Sequence, residues 1–160
     1  MLKVGDSIPS INLKQMTADG PQDVDAAGYC KGRKVVIFAL PGAFTPTCSE
    51  QHLPGYLQQH EAIKGKGVDA IACLSVADFF VMDAWGKSQN VGAAIDMLSD
   101  GNGEFIKATG TELDLSGFGL GTRSKRYAMV VNDGVIEQML VEENPGEAKD
   151  SGADALLAVL

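Results

Sequence analysis

The chain has no Cys-x-x-Cys pair, and its three cysteines, at 30, 48 and 73, match no zinc-ligand spacing. An odd, scattered set weighs against a secreted disulfide framework, so a reducing, cytoplasmic setting is expected. No apolar run approaches the about 18 residues of a membrane span. The opening "MLKVGDSIPS" lacks the apolar stretch and small-residue cleavage site of a signal peptide. Positive charge is scarce: 13 lysines and arginines face 21 aspartates and glutamates, a net charge of -8. That balance argues against nucleic acid or an anionic membrane as the main partner. Repeats, low-complexity tracts and linkers are also missing. One domain spanning residues 1–160, with a full core, is therefore expected.

What is present is an alternation of strand-like and helix-like segments. "VVIFAL" (35–40) is a continuous β-rich apolar run, as in a strand buried on both faces. From Pro46 the pattern turns helical, with Leu53, Tyr56, Leu57, His60 and Ile63 on one face and Gly65 and Gly67 as terminators. Pro54 falls inside this helix and should kink it. "VDAIACLSV" (68–76) reads as the next buried strand, after which Asp78 can cap a short helix to about Lys87. "AIDMLSD" (94–100) is a weaker strand. "YAMVVNDGVIEQMLV" (127–141) reads as a hairpin turning at Asn132-Asp133-Gly134. "SGADALLAVL" closes the chain as a helix with Ser151 as its cap. Together these segments predict an α/β sandwich, a central mixed sheet flanked by helices.

Between the first buried strand and its helix lies "PGAFTPTCSE" (41–50). In α/β folds such a junction sits at the carboxyl edge of the sheet, where ligand sites form. Pro41-Gly42 ends the strand, and Pro46 suits a first helical position because its missing N–H costs nothing there. Cys48 then falls in the first helical turn, where unpaired backbone N–H groups and the helix dipole favour thiolate over thiol. Thr45 is placed either to cap this helix or to aim its hydroxyl at the sulfur. His52, four residues after Cys48, is a partner for a Cys–His dyad or simply a structural hydrogen-bonding group. The densest basic cluster, "TRSKR" (122–126), precedes the strand "YAMVV" and either covers the thiolate or lies solvated on the surface. Residue chemistry alone leaves open whether Arg123 or Arg126 faces inward.

"PGAFTPTCS" resembles the Pro-x-x-x-Thr-x-x-Cys signature of the peroxiredoxins. The similarity continues through "HLPGY", "CLSVADFFVMDAW", "LDLSGFGLGTRSKRYAMVVNDG" and "VEE". It is of the atypical type II kind, found in plants and bacteria and coupled to glutathione or glutaredoxin. The resemblance implies a thioredoxin-like fold and a peroxidase of hydrogen peroxide and alkyl hydroperoxides that needs no metal, haem or flavin cofactor. It implies Cys48 as the peroxidatic cysteine, oxidised to sulfenic acid. Thr45 would bond sulfur and peroxide, Pro41 would shield the pocket, and Arg126 would be the active-site arginine, with Arg123 as fallback. It also points to Cys73 as a resolving cysteine that closes a Cys48–Cys73 disulfide, unless Cys73 is a passive strand residue. Cys30 matches no functional position.

Relatives form homodimers through loops around the active site. "DFFVMDAW" carries more apolar side chains than one short helix can bury. Phe44, Phe80 and Leu120 are accordingly the candidate interface residues, unless the glycine-rich loop 117–121 covers them within one chain. Three other functions compete. A disulfide reductase would want Cys-x-x-Cys. An acyl transferase would need His52 as its base. A non-enzymatic redox sensor would use the same Cys48 and bind a partner when oxidised.

Overall fold

The computed structural model describes residues 1–160. Strands β1 (Asn12–Thr17) and β2 (Gly20–Asp25) form a hairpin that leads into the short helix α1 (Ala26–Cys30). Strand β3 (Lys34–Ala39) follows, then a π-helical turn (Cys48–His52) that runs directly into α2 (Leu53–Lys64). Next come β4 (Ala70–Ser75), α3 (Phe79–Ser88), β5 (Asp96–Ser99) and α4 (Glu104–Thr109). A small ladder of β6 (Glu112–Asp114) and β7 (Thr122–Ser124) precedes β8 (Tyr127–Asn132), β9 (Val135–Val141) and α5 (Ala153–Leu157). No helix is long and apolar enough to cross a membrane.

Seven strands form one mixed sheet in the order β2-β1-β5-β4-β3-β8-β9. β3, β4 and β5 are parallel, joined by crossovers through α2 and α3, whereas β8 and β9 run antiparallel beside β3. This is the thioredoxin-like arrangement with helices on both faces. Strand alternation divides the core in two. Val36, Phe38 and Leu40 enter a cluster with the α2, α3 and α5 side chains, which includes Cys48, Cys73 and Trp85. Val35, Ile37 and Ala39 enter the other, with Cys30, Phe105 and Tyr127. The sheet therefore separates Cys30 from the other two thiols.

Several details depart from the sequence expectations. The helix does begin at Pro46, and the chain stays helical through Pro54. The first turn widens so that Leu53 N–H reaches Cys48 O, and Pro54 falls in the first turn of the regular helix that follows, where no donor is needed. Ser151 does not cap α5. Gly152 is the capping residue, without a side-chain bond, because the buried Ser151 hydroxyl has found a carboxyl partner in Glu142. Cys30 closes α1, a short helix that the sequence pattern did not reveal.

Asp78 does cap α3, its Oδ1 accepting the Val81 N–H at 2.8 Å. Asp78→Ala should cost about 1 kcal/mol of unfolding free energy. In urea titrations the midpoint should fall with an unchanged slope; an unmoved midpoint would mean the cap carries no weight.

Candidate active site

Residues 41–48 leave the carboxyl end of β3 in the middle of the sheet, the position with neighbours on both sides. Pro41 and Gly42 are buried. Phe44 holds a φ of 62°, a left-handed conformation that is rare for a bulky residue and marks a constrained turn. The next three residues bring Cys48 into the π-helical turn, with its side chain fully enclosed. Cys48 belongs to the buried apolar cluster that also holds Phe38, Leu40, Leu53, Tyr56, Cys73, Met82 and Trp85, a largely hydrocarbon setting.

The exception is Arg126. Its Nη2 donates to Cys48 Sγ at 3.1 Å, its Nη1 donates to His52 Nδ1 at 3.0 Å, and its Nε donates to Pro145 O at 2.9 Å. The residue is 3% exposed, and none of the molecule's ion pairs includes it. A buried guanidinium without a carboxylate is costly unless an anion meets it. The one atom in contact with it that can become an anion is the Cys48 sulfur. The guanidinium thus offers positive charge and an N–H donor to any negative charge that develops on that sulfur.

His52 completes the setting of Arg126. Its Nδ1 accepts from the guanidinium, so its proton sits on Nε2 and is donated to Ser151 O at 3.1 Å. Burial, and then the adjacent Arg126 charge, press its pKa down to about 3. With both nitrogens occupied and no bond to the sulfur, His52 does not form the Cys–His dyad; it is a structural hydrogen-bonding group. Phe38 and Tyr56 pack beside it, their rings stacked 4.0 Å apart.

Thr45 differs from expectation, for its hydroxyl donates to Gly42 O at 2.7 Å and not to the sulfur. The preceding loop thus closes on itself, leaving the Thr45 oxygen free as an acceptor. Both arginines of "TRSKR" turn inward, to different targets. Arg126 reaches the sulfur, while Arg123 donates to Pro41 O at 3.2 Å and to Leu120 O at 2.8 Å. Arg123 Nη1 lies 2.9 Å from where a Cβ on Gly42 would stand, so a glycine at 42 lets the guanidinium rest on the loop backbone. Ser49, beside Cys48, is tied to α3: its hydroxyl accepts from Trp85 Nε1 at 3.0 Å, and its carbonyl from Gln89 at 3.1 Å.

Cys73 lies on the same face of the sheet as Cys48, paired in register with Phe38, and both thiols are free. Burial pushes the Cys73 thiol well above its usual range. Cys30, also raised, to about 11 and chiefly by burial, is a packing residue of the opposite cluster. Phe44 and Phe80 are 57% and 66% exposed, and loop 117–121 does not cover them, since its own Phe118 and Leu120 are exposed as well. Sequence reasoning missed Glu142, Pro145 and Ser151. Of these, "VEE" at the end of the family resemblance touched only Glu142, and Ser151 was read only as a helix cap.

The Redoxin family model matches residues 3–157. The chain is 48% identical over 164 residues to the chloroplastic Peroxiredoxin-2E-2 of Oryza sativa subsp. japonica, covering 99% of this chain and 72% of that protein. A peroxiredoxin of Synechocystis is 45% identical, with 96% and 88% covered. The crystal structure of reduced Prx3 from Vibrio vulnificus in complex with hydrogen peroxide superposes with a TM-score of 0.94 at 47% identity, covering 99% of each chain. The chain belongs to the peroxiredoxin family. Its relatives include the plant and cyanobacterial type II group, and it is a thiol peroxidase that works through a peroxidatic cysteine.

The neutral His52 makes this peroxiredoxin sensitive to acid in a defined window. The unfolded chain takes up a proton near the ordinary value of 6.5, whereas the folded protein resists until about 3. The stability held by neutral His52 is therefore complete above about pH 6.5 and drains away as pH falls toward 3. Urea unfolding across this range should show a steeper loss in the parent than in His52→Asn. Parallel curves would contradict the assignment.

Proposed function

We propose that Cys48 is the peroxidatic cysteine and that glutathione, directly or through glutaredoxin, returns it to the thiol. The observation that carries the first half is the 3.1 Å contact between a buried, carboxylate-free guanidinium and the Cys48 sulfur. The thiolate attacks one peroxide oxygen, an S–O bond forms as the O–O bond breaks, and the leaving oxygen departs as water or an alcohol after taking up a proton. Negative charge grows on that leaving oxygen, and the Arg126 N–H groups stand beside the reacting sulfur to meet it. Thr45, its own proton committed to Gly42, accepts the peroxide O–H, while the buried Pro41 and Gly42 keep bulk water away.

Regeneration consumes two thiols. The first condenses with the sulfenic acid and releases water; the second displaces Cys48 as a thiol and leaves a disulfide. Cys73 is the internal candidate for the first step, supported by its place on the same face of the sheet. A thiol held protonated by burial is a weak nucleophile, so its attack requires the π-helical turn to open first. An external thiol avoids that cost once it reaches the sulfur. We also propose a homodimer built on Phe44, Phe80 and Leu120, supported by their exposure next to the active-site loop, and a reducing cytoplasmic setting, which suits three free thiols.

Steady-state assays with hydrogen peroxide and an alkyl hydroperoxide, using glutathione with and without glutaredoxin, test this reading. Cys48→Ser should abolish turnover and Cys30→Ser should keep it. Arg126→Ala should lower kcat/KM for peroxide by about 100-fold or more, the usual cost of losing a donor at developing charge. Arg123→Ala should cost less, because it supports the loop and not the sulfur. Equal or greater damage from Arg123→Ala would overturn the assignment of Arg126. Intact-mass analysis after one equivalent of peroxide should give a Cys48–Cys73 disulfide in the parent; sulfenic and sulfinic acid alone would remove Cys73 from the cycle.

A further inference from the structure

Two of the three groups that accept or relay hydrogen bonds around Arg126 trace back to one short loop, residues 142–151. Pro145 O accepts Arg126 Nε–H, and Ser151 O accepts His52 Nε2–H at 3.1 Å and Tyr56 O–H at 2.7 Å. Gly146 O accepts the Thr47 hydroxyl at 2.8 Å, immediately before Cys48. The loop thus grips both the guanidinium and the start of the cysteine helix.

Its two ends are fastened by one carboxyl group. Glu142 Oε1 accepts the Ser151 backbone N–H at 2.9 Å and the Ser151 hydroxyl at 3.1 Å. Glu142 is 7% exposed, Ser151 is fully buried, and no ion pair includes Glu142. Burying a carboxyl group without a cation is expensive, and an apolar residue would fill the space at lower cost. The proposed peroxide step gives Glu142 nothing to do directly. Its backbone N–H, however, bonds Arg126 O at 3.0 Å, so the fastening point stands in register with the arginine itself.

We infer that Glu142 and Ser151 are positioning residues for peroxide reduction. Their clasp closes loop 142–151, and the closed loop, acting through Pro145, Gly146 and His52, aims the Arg126 guanidinium at the Cys48 sulfur. This rests on the reading of Cys48 as the attacking thiolate. A guanidinium freed from Pro145 and His52 has other orientations open to it, and a displacement of about 1 Å at a reacting centre costs up to about 100-fold in rate.

The test follows oxidation of the full-length protein by hydrogen peroxide in a stopped-flow instrument, with Trp85, bonded to Ser49 beside the reacting cysteine, as the fluorescent reporter. Glu142→Ala should slow the peroxide step by about 10- to 100-fold. The rate of the following glutathione step should not change. Glu142→Gln should recover most of the loss, because its amide oxygen accepts the same two bonds. At His52, an asparagine keeps an acceptor where Nδ1 stood and a glutamine keeps a donor where Nε2 stood. Each variant therefore breaks one half of the relay from Ser151 to Arg126, and both should react with peroxide more slowly than the parent.

A parental peroxide rate in folded Glu142→Ala overturns the inference, and so does a Glu142→Gln variant no faster than Glu142→Ala. If Glu142→Ala does not fold, the His52 pair decides: a parental rate in either variant overturns it, because each lacks one of the two bonds that join the loop to Arg126. Retained turnover in Cys48→Ser would instead bring down the assignment of Cys48, and so separates that failure from failure of the clasp.

Discussion

The site depends on a buried positive charge that no carboxylate neutralises. Arg126 spends its donors on a backbone carbonyl, a neutral imidazole and a sulfur. An aspartate in place of the imidazole would pair with the guanidinium and leave the thiol without its cation. A neutral His52 orients the arginine without consuming its charge, and burial in an apolar shell keeps that histidine neutral. The guanidinium is thereby left without a competing anion, beside the one sulfur that can carry negative charge.

The fold brings these groups together by topology. β3 is central, so the loop after it opens between two neighbouring strands, with α2 rising from one side. β8 pairs with β3 antiparallel, which places Tyr127 opposite Ala39 and carries the preceding Arg126 to the same end of the sheet. β9 pairs with β8 and returns the chain to Glu142 there as well. Cysteine, arginine and the closing loop thus come from three chain segments whose meeting point is set by strand register. Core alternation keeps Cys30 on the far face, so the sheet itself separates it from Cys48 and Cys73.

What the sequence revealed follows the strength of local signals. β3 and β4 were legible because strands buried on both faces are continuous apolar runs, and the β8–β9 hairpin because Asp133 and Gly134 supply the positive φ values of 48° and 81°. The β1–β2 hairpin was not, since β2 is a polar edge strand, "GPQDVD", with little to bury. α4 has six residues between two left-handed glycines, Gly103 and Gly110, too short for periodicity to register. At the site, Pro41, Thr45 and Cys48 lie within one motif and could be read as a unit. The bonds of His52 to Arg126 and Ser151 span 74 and 99 residues, and no local pattern encodes contacts of that range. The hydroxyl of Thr45 shows a further limit. Spacing places it near the sulfur, but only the turn geometry directs its proton to Gly42.

The central claim is that Cys48 and Arg126 compensate one another's charge inside the protein. A double-mutant cycle on stability tests it most directly, comparing unfolding free energies at neutral pH for the parent, Cys48→Ala, Arg126→Met and the pair. The account predicts strong coupling, above about 1 kcal/mol, because either single change leaves the other group buried and unmatched while the double change leaves an apolar site. Additive single effects, agreeing within about 0.5 kcal/mol, would contradict it and leave the 3.1 Å contact as proximity without electrostatic consequence.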